Sequence, residues 1–259
     1  MNPLFEKSSL MILESLSFTK TLYAFDFDGT LSKIVRAPAD ATITRTTHKL
    51  LCQLTKLVPV AIVSGRSIKD LKSRLELQPQ YLIGNHGLEG LGDHRFSLKE
   101  AQEACNSWKD QLAKAHFNTG VEIEDKTYSL AVHFRRSRQK KQAKIQISNV
   151  VGGLTPRPRV ILGKSVVNIL PLAAPHKGIA VMELMKKAGA KYAFYIGDDD
   201  TDEDVFSLPN SQIMAVRVGE KRTSKVNEPM TNWSSSFSNL KVELRQLRSF
   251  LKNQLNKEL

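Results

Sequence analysis

Cysteine is nearly absent: Cys52 and Cys105 are the only two in 259 residues. Two thiols cannot build a disulfide framework or a four-thiolate zinc site, so a reducing, cytoplasmic setting is expected. Long apolar runs are missing as well. Nothing approaches the roughly 18 uninterrupted apolar residues of a membrane span, so no membrane partner is expected. The apolar stretch 10–13 is flanked by Glu6 and Glu14 too closely for the core of a signal peptide. No GxGxxG dinucleotide fingerprint occurs, and no internal repeat or low-complexity tract. Gly163-Lys164-Ser165 looks like the end of a phosphate-binding loop, but Pro158 stands where that loop needs its first glycine.

Acidic residues are also in the minority, 26 against 38 Lys and Arg, for a formal charge of +12. Such a surplus suits an anionic partner without saying which. The densest basic run is Arg135, Arg136, Arg138, Lys140, Lys141 and Lys144. No aromatic side chains interleave with it for base stacking, so it reads as a solvated helix face, and nucleic acid is not the expected partner.

What is present is an alternation of short apolar runs with amphipathic ones. Residues 23–25 form an apolar strand that ends on Asp26, and residues 46–57 carry leucines at helical spacing. Residues 58–63 are a β-branched run, as in a buried parallel strand. Ser67 and Asp70 resemble a capping box opening the next helix, and residues 81–83 make a third strand. This pattern predicts an α/β fold: a doubly wound, Rossmann-like parallel sheet with helices on both faces. The middle changes character. Helical stretches at 99–117 and 138–151 alternate with strands around 121–134 and a hairpin at 160–170, which is an α+β pattern. The expected division is therefore a core of residues 1–97 and 173–259, with an inserted α+β domain at 98–172. After it, a helix over 178–188 and strands at 192–196 and 213–218 resume the first pattern, and Leu240, Leu244, Leu247 and Leu251 predict an amphipathic closing helix.

Chemistry concentrates at the ends of the predicted core strands, where open α/β sheets bind ligands. Asp26-Phe27-Asp28-Gly29-Thr30 places two carboxylates beside a glycine that permits a tight turn. Residues 198–204 hold six acids in seven positions, directly after an apolar strand. Crowded carboxylates repel one another unless a cation or water intervenes, and their hard oxygens suit Mg²⁺. Ser64, ending the second strand, and Lys177, opening the helix after the insert, could balance a phosphate.

These residues carry a resemblance. DFDGT after an apolar strand, with Ser64, Lys177 and the late Gly-Asp-Asp run, resembles the haloacid-dehalogenase phosphatases. The Ser64-Gly65-Arg66, Gly84-Asn85-His86-Gly87-Leu88-Glu89, His133-Phe134-Arg135, Gly163-Lys164 and GDDDTDED segments are similar to those of the trehalose-6-phosphate phosphatase family within that group. The resemblance runs from about residue 22 to 219. It implies that Asp26 is a nucleophile forming a phosphoaspartate and that Asp28 is the acid–base. It further implies Mg²⁺ on Asp26, the Asp28 carbonyl, Asp198 and Asp199, with Asp202 in support, while Ser64 and Lys177 hold the phosphoryl group. The insert becomes a cap that reads the sugar. Lys126, His133, Arg135, Lys164 and Asn168 serve from the cap, and Arg66, Asn85, His86 and Glu89 from the core. A monomer acting on a small sugar phosphate is the resulting expectation.

One departure stands out. The family carries a glutamate four positions after the lysine of Gly163-Lys164, and here that position is Asn168. An amide cannot give a charge-assisted bond to a hydroxyl. Other glycosyl phosphates, such as those of sucrose, glucosylglycerol or glycosyl-phosphoglycerate, therefore stay open. So do a phosphomutase on the same fold and an inactive polyanion-binding relative.

Overall fold

The computed structural model describes residues 7–35, 37–92, 97–163, 165–209 and 212–218. The predicted closing helix at 240–251 and Lys164 lie outside the described residues.

Five short strands, β1 (Thr21–Phe25), β2 (Val60–Val63), β3 (Tyr81–Ile83), β8 (Tyr192–Gly197) and β9 (Ile213–Arg217), pair in parallel in the order β3-β2-β1-β8-β9. β1 and β2 are buried along their whole length. Apolar side chains on both faces of such a strand need cover on both sides. One face packs Tyr23, Phe25, Ile62 and Phe194 against Leu16 of α1 (Lys7–Ser17), Leu51 and Leu54 of α2 (Arg45–Leu54) and Leu71 of α3 (Ile68–Arg74). The other packs Leu22, Ala24, Val63 and Ile83 against Ala180, Val181 and Leu184 of α6 (Lys177–Ala188) and Val205 of α7 (Glu203–Phe206). Helices thus cover both faces, as the alternation predicts.

Between β3 and α6 the chain builds a second sheet. β4 (Glu122–Asp125), β5 (Leu130–His133), β6 (Pro158–Gly163) and β7 (Val166–Pro171) run antiparallel in the order β4-β5-β7-β6. Leu130, Val132, Val167 and Ile169 pack against Cys105, Trp108 and Leu112 of α4 (Leu98–Ala113) and Ala143 and Ile147 of α5 (Lys140–Gly152). The opposite face carries Glu122, Glu124, Ala131, His133, Asn168 and Arg159 by register. That face is not simply solvated as the alternation predicts: Ala131 and Asn168 are buried. β4, at the edge, is exposed throughout. Lys140, Lys141 and Lys144 are exposed along α5, the solvated basic face read from the sequence.

Local signals set the boundaries. The Ser67 side chain accepts from the Asp70 N–H at 3.2 Å, so half of the expected capping box forms, while the Asp70 carboxylate turns to arginines instead. Pro158 sits in an edge strand, where its missing N–H costs no ladder bond, and Gly163 ends a hairpin strand with no helix following.

Candidate active site

The site forms where β1, β2 and β8 end. Asp26 follows β1, and its N–H continues the ladder to the Ile196 carbonyl at 2.8 Å. The chain then turns within four residues, Leu31 N–H reaching the Phe27 carbonyl at 3.0 Å. Gly29 makes this turn at φ +87°, and a Cβ there would fall on the Asp198 carboxylate. Two segments distant in the chain therefore meet at a position that has room only for glycine.

Lys177 opens α6, is buried, and spans two carboxylates. Its Nζ lies 2.7 Å from Asp26 Oδ1 and 2.7 Å from Asp202 Oδ1. Burial pushes the Asp26 pKa well up, and the Asp202 and Asp198 charges add to this, while Lys177 opposes them. Burial disfavours the charge on Lys177, yet the Asp202 and Asp26 carboxylates raise its pKa overall. Asp26, Asp198 and Asp202 each present an oxygen within 4.8 Å of the others. Three crowded carboxylates, two of which share a lysine, suit a hard divalent cation, and the missing Cβ at Gly29 leaves Asp198 its place in the group.

Within the acidic loop the roles divide. Asp199 accepts from the Asp200 N–H at 2.8 Å and joins Asp202 in a capping box around the turn Asp200–Asp202. Asp202 is fully buried and accepts from Lys177, from the Tyr195 hydroxyl at 2.5 Å and from the Asp199 N–H at 2.9 Å. Arg217 stands behind the loop, pairing with Glu203, reaching the Asp198 carbonyl and stacking on Phe206. Neither Tyr195 nor Arg217 is singled out by the sequence, because each lies within an apolar strand.

A cavity of about 520 Å³ opens between the two sheets. Asp26, Asp28, Ser64, Lys177, Asp198 and Asp199 line its floor, and Lys126, His133, Arg135 and Asn168 its roof, with Arg66 and His86 at the side. Arg66 donates to both Asp28 oxygens, to Asp70 and to the Pro38 carbonyl, so its guanidinium faces protein groups. His86 sits in the left-handed region at φ +59° and is buried, which drives its pKa well down, with Lys126 and Lys177 adding to the effect. His133 pairs with Glu124 at 2.8 Å.

Two expected sugar contacts do not reach the cavity wall. Asn85 is fully buried; its Oδ1 accepts from the Ser129 hydroxyl at 2.5 Å, and its Nδ2 donates to Glu89 and to the Lys126 carbonyl. Glu89 also accepts from the Ile68 N–H at 2.9 Å. Lys126 Nζ donates to the Gly65 carbonyl at 3.1 Å, and Arg135 donates to the Val35 carbonyl. These bonds tie the second sheet to the first around the cavity.

Known proteins are similar to this chain in sequence and in architecture. A trehalose-phosphate phosphatase of Mycobacterium ulcerans is 31% identical over 223 residues, covering 80% of this chain and 56% of the relative. Trehalose-phosphate phosphatase B of Arabidopsis thaliana is 30% identical over 205 residues, covering 71% of this chain and 54% of the relative. The chain thus spans a little over half the length of these curated relatives. The C-terminal domain of Candida albicans trehalose-6-phosphate phosphatase shares the fold, with a TM-score of 0.62 at 24% identity over 76% of this chain and 77% of that one. Among the described residues no helix is long and apolar enough to cross a membrane. The family model for trehalose-phosphatase matches residues 24–240, and the chain belongs to that family.

Proposed function

We propose that this chain is a Mg²⁺-dependent phosphomonoester hydrolase that removes the phosphate of trehalose 6-phosphate through a phosphoaspartate on Asp26. The observation that carries the reading is the contact of Lys177 with Asp26 at 2.7 Å, beside the Asp198 and Asp202 carboxylates. A buried carboxylate with an ammonium on one oxygen is oriented, and it is separated from the water that would otherwise solvate it.

In this reading Asp26 attacks phosphorus in line with the departing sugar oxygen. Asp26, Asp198 and the Asp28 carbonyl would hold Mg²⁺. Bound there, the ion removes the repulsion between the carboxylate and the phosphate dianion. Lys177 and Ser64 meet the charge that spreads over the equatorial oxygens. Asp28, aimed by Arg66, protonates the sugar oxygen and then takes a proton from the water that cleaves the acyl phosphate. The acid–base must be a second residue because Asp26 is covalently occupied between the two steps. The polar face of the second sheet, with Lys126, His133 and Asn168, covers the sugar.

Phosphate release from trehalose 6-phosphate, measured with Mg²⁺ and again with EDTA, tests the reading. Turnover that EDTA abolishes supports it, and equal rates in both contradict it. A second reading, hydrolysis of another glycosyl phosphate, is favoured by Asn168, which puts a neutral amide in the roof of the cavity. Running the sucrose and glucosylglycerol phosphates beside trehalose 6-phosphate separates the two.

A further inference from the structure

Asp202 presents an oxygen within 4.8 Å of an Asp26 oxygen yet is arranged differently from its neighbours in the loop. It is fully buried, whereas Asp198 and Asp199 are half-buried and Asp200 is exposed. Its Oδ1 takes two donors, Lys177 Nζ at 2.7 Å and the Tyr195 hydroxyl at 2.5 Å, and its Oδ2 takes the Asp199 N–H. Tyr195 is fixed from below: its ring is buried in β8 and meets Phe206 edge-on at 6.0 Å. A carboxylate only accepts, so the hydroxyl is the donor in this contact.

Lys177 is shared between Asp202 Oδ1 and Asp26 Oδ1 at equal distances. How the ammonium divides its attraction depends on the charge density left on each oxygen. A second donor on Asp202 draws density from that oxygen alone. We propose that Tyr195 is a positioning residue. By occupying Asp202 Oδ1, its hydroxyl weakens that oxygen's hold on Lys177, so that the ammonium stays shared with Asp26, and keeps Asp202 from joining the cation held by Asp26 and Asp198. The proposal rests on the reading of Asp26 as the reacting carboxylate. It extends that reading to a side chain that touches neither substrate nor metal.

The test is Tyr195→Phe in the full chain, which keeps the ring packing and removes only the donor. Mg²⁺ binding is measured by calorimetry without substrate, and kcat and KM with trehalose 6-phosphate. With the donor gone, Mg²⁺ should bind about threefold tighter or more, as Asp202 turns to the ion. In parallel, kcat should fall about tenfold with KM changed less than about twofold. A packing role alone moves neither the Mg²⁺ affinity nor the KM-against-kcat split. Mg²⁺ affinity unchanged from the parent overturns the proposal, whatever happens to kcat. If the Phe variant does not fold, 3-fluorotyrosine placed at position 195 supplies a stronger donor. It should loosen Mg²⁺ about twofold, and no change there also overturns the proposal. A parent chain that hydrolyses no phosphomonoester refutes the proposed function, while the calorimetry still decides the role of Tyr195.

Discussion

Asp28 is held by Arg66 through both carboxylate oxygens, each 2.7 Å from a guanidinium nitrogen. The arginine is itself fixed, by Asp70 at 2.7 Å, by the Pro38 carbonyl at 3.0 Å and by the Phe27 ring beneath it at 5.3 Å. A planar fork of this kind sets both the position and the rotation of the carboxylate it grips, which a lysine cannot do. The side chain assigned to acid–base work is thus aimed by a residue that the sequence places with the sugar.

Arg66→Lys keeps the charge and loses the fork. We expect kcat to fall by about one to two orders of magnitude with KM changed little, because Asp28 loses its aim while the sugar contacts remain. Steady-state kinetics on trehalose 6-phosphate check this. A rise in KM at constant kcat would return Arg66 to substrate binding.

His86 gives the chain an acid-side instability. Burial holds its folded pKa well below the ordinary 6.5, so below pH 6.5 the unfolded chain binds a proton that the folded chain refuses. Stability from this group is therefore complete above pH 6.5 and declines as pH falls, by up to about 1.4 kcal/mol per pH unit until the folded pKa is reached. His86→Gln should flatten the fall in denaturation midpoint between about pH 6.5 and 5. The same slope in both proteins would show that His86 does not cause it.

Asn85→Ala removes one side chain that serves both sheets. The Ser129 hydroxyl and the Lys126 carbonyl lose their partner in a buried place, at a cost of about 1–3 kcal/mol in chemical denaturation. KM should rise as the second sheet loses a tie to the first. Stability and KM equal to the parent's would remove Asn85 from this role.

Asn168→Glu puts a carboxylate among the positive groups around the roof, where Lys126 and Arg159 already lower the His86 pKa. If the neutral amide weakens the grip on a trehalose hydroxyl, kcat/KM for trehalose 6-phosphate should rise several-fold. A lower value for trehalose 6-phosphate would instead favour a different sugar.

The core was legible because its signals are local and repeated. The β-branched run before Ser64 and the apolar residues before Asp26 and Gly197 are strands that cannot be placed anywhere but in a covered parallel sheet. The close approach of Asp26, Asp198 and Lys177 was legible too, since each ends or opens an element on the same rim of the sheet. What escaped the sequence depends on which loops touch. Asn85 and Glu89 carry groups suited to a sugar, and only the packing of residues 126–129 against residues 84–89 commits them to protein partners. Tyr195 reads as one more apolar strand residue; its hydroxyl acquires a role only because Asp202 folds back beneath the strand end. Arg217 has the same history, an isolated cation in a strand that closes on the acidic loop.

The account stands on Asp26 forming the bond to phosphorus. Rapid quenching in acid after one turnover of trehalose 6-phosphate with Mg²⁺, followed by peptide mass analysis, reads this directly. We predict one phosphoryl group on the peptide that carries Asp26, absent from Asp26→Asn, whose turnover falls by about four orders of magnitude or more. Phosphate released at the parent rate by Asp26→Asn would contradict the account.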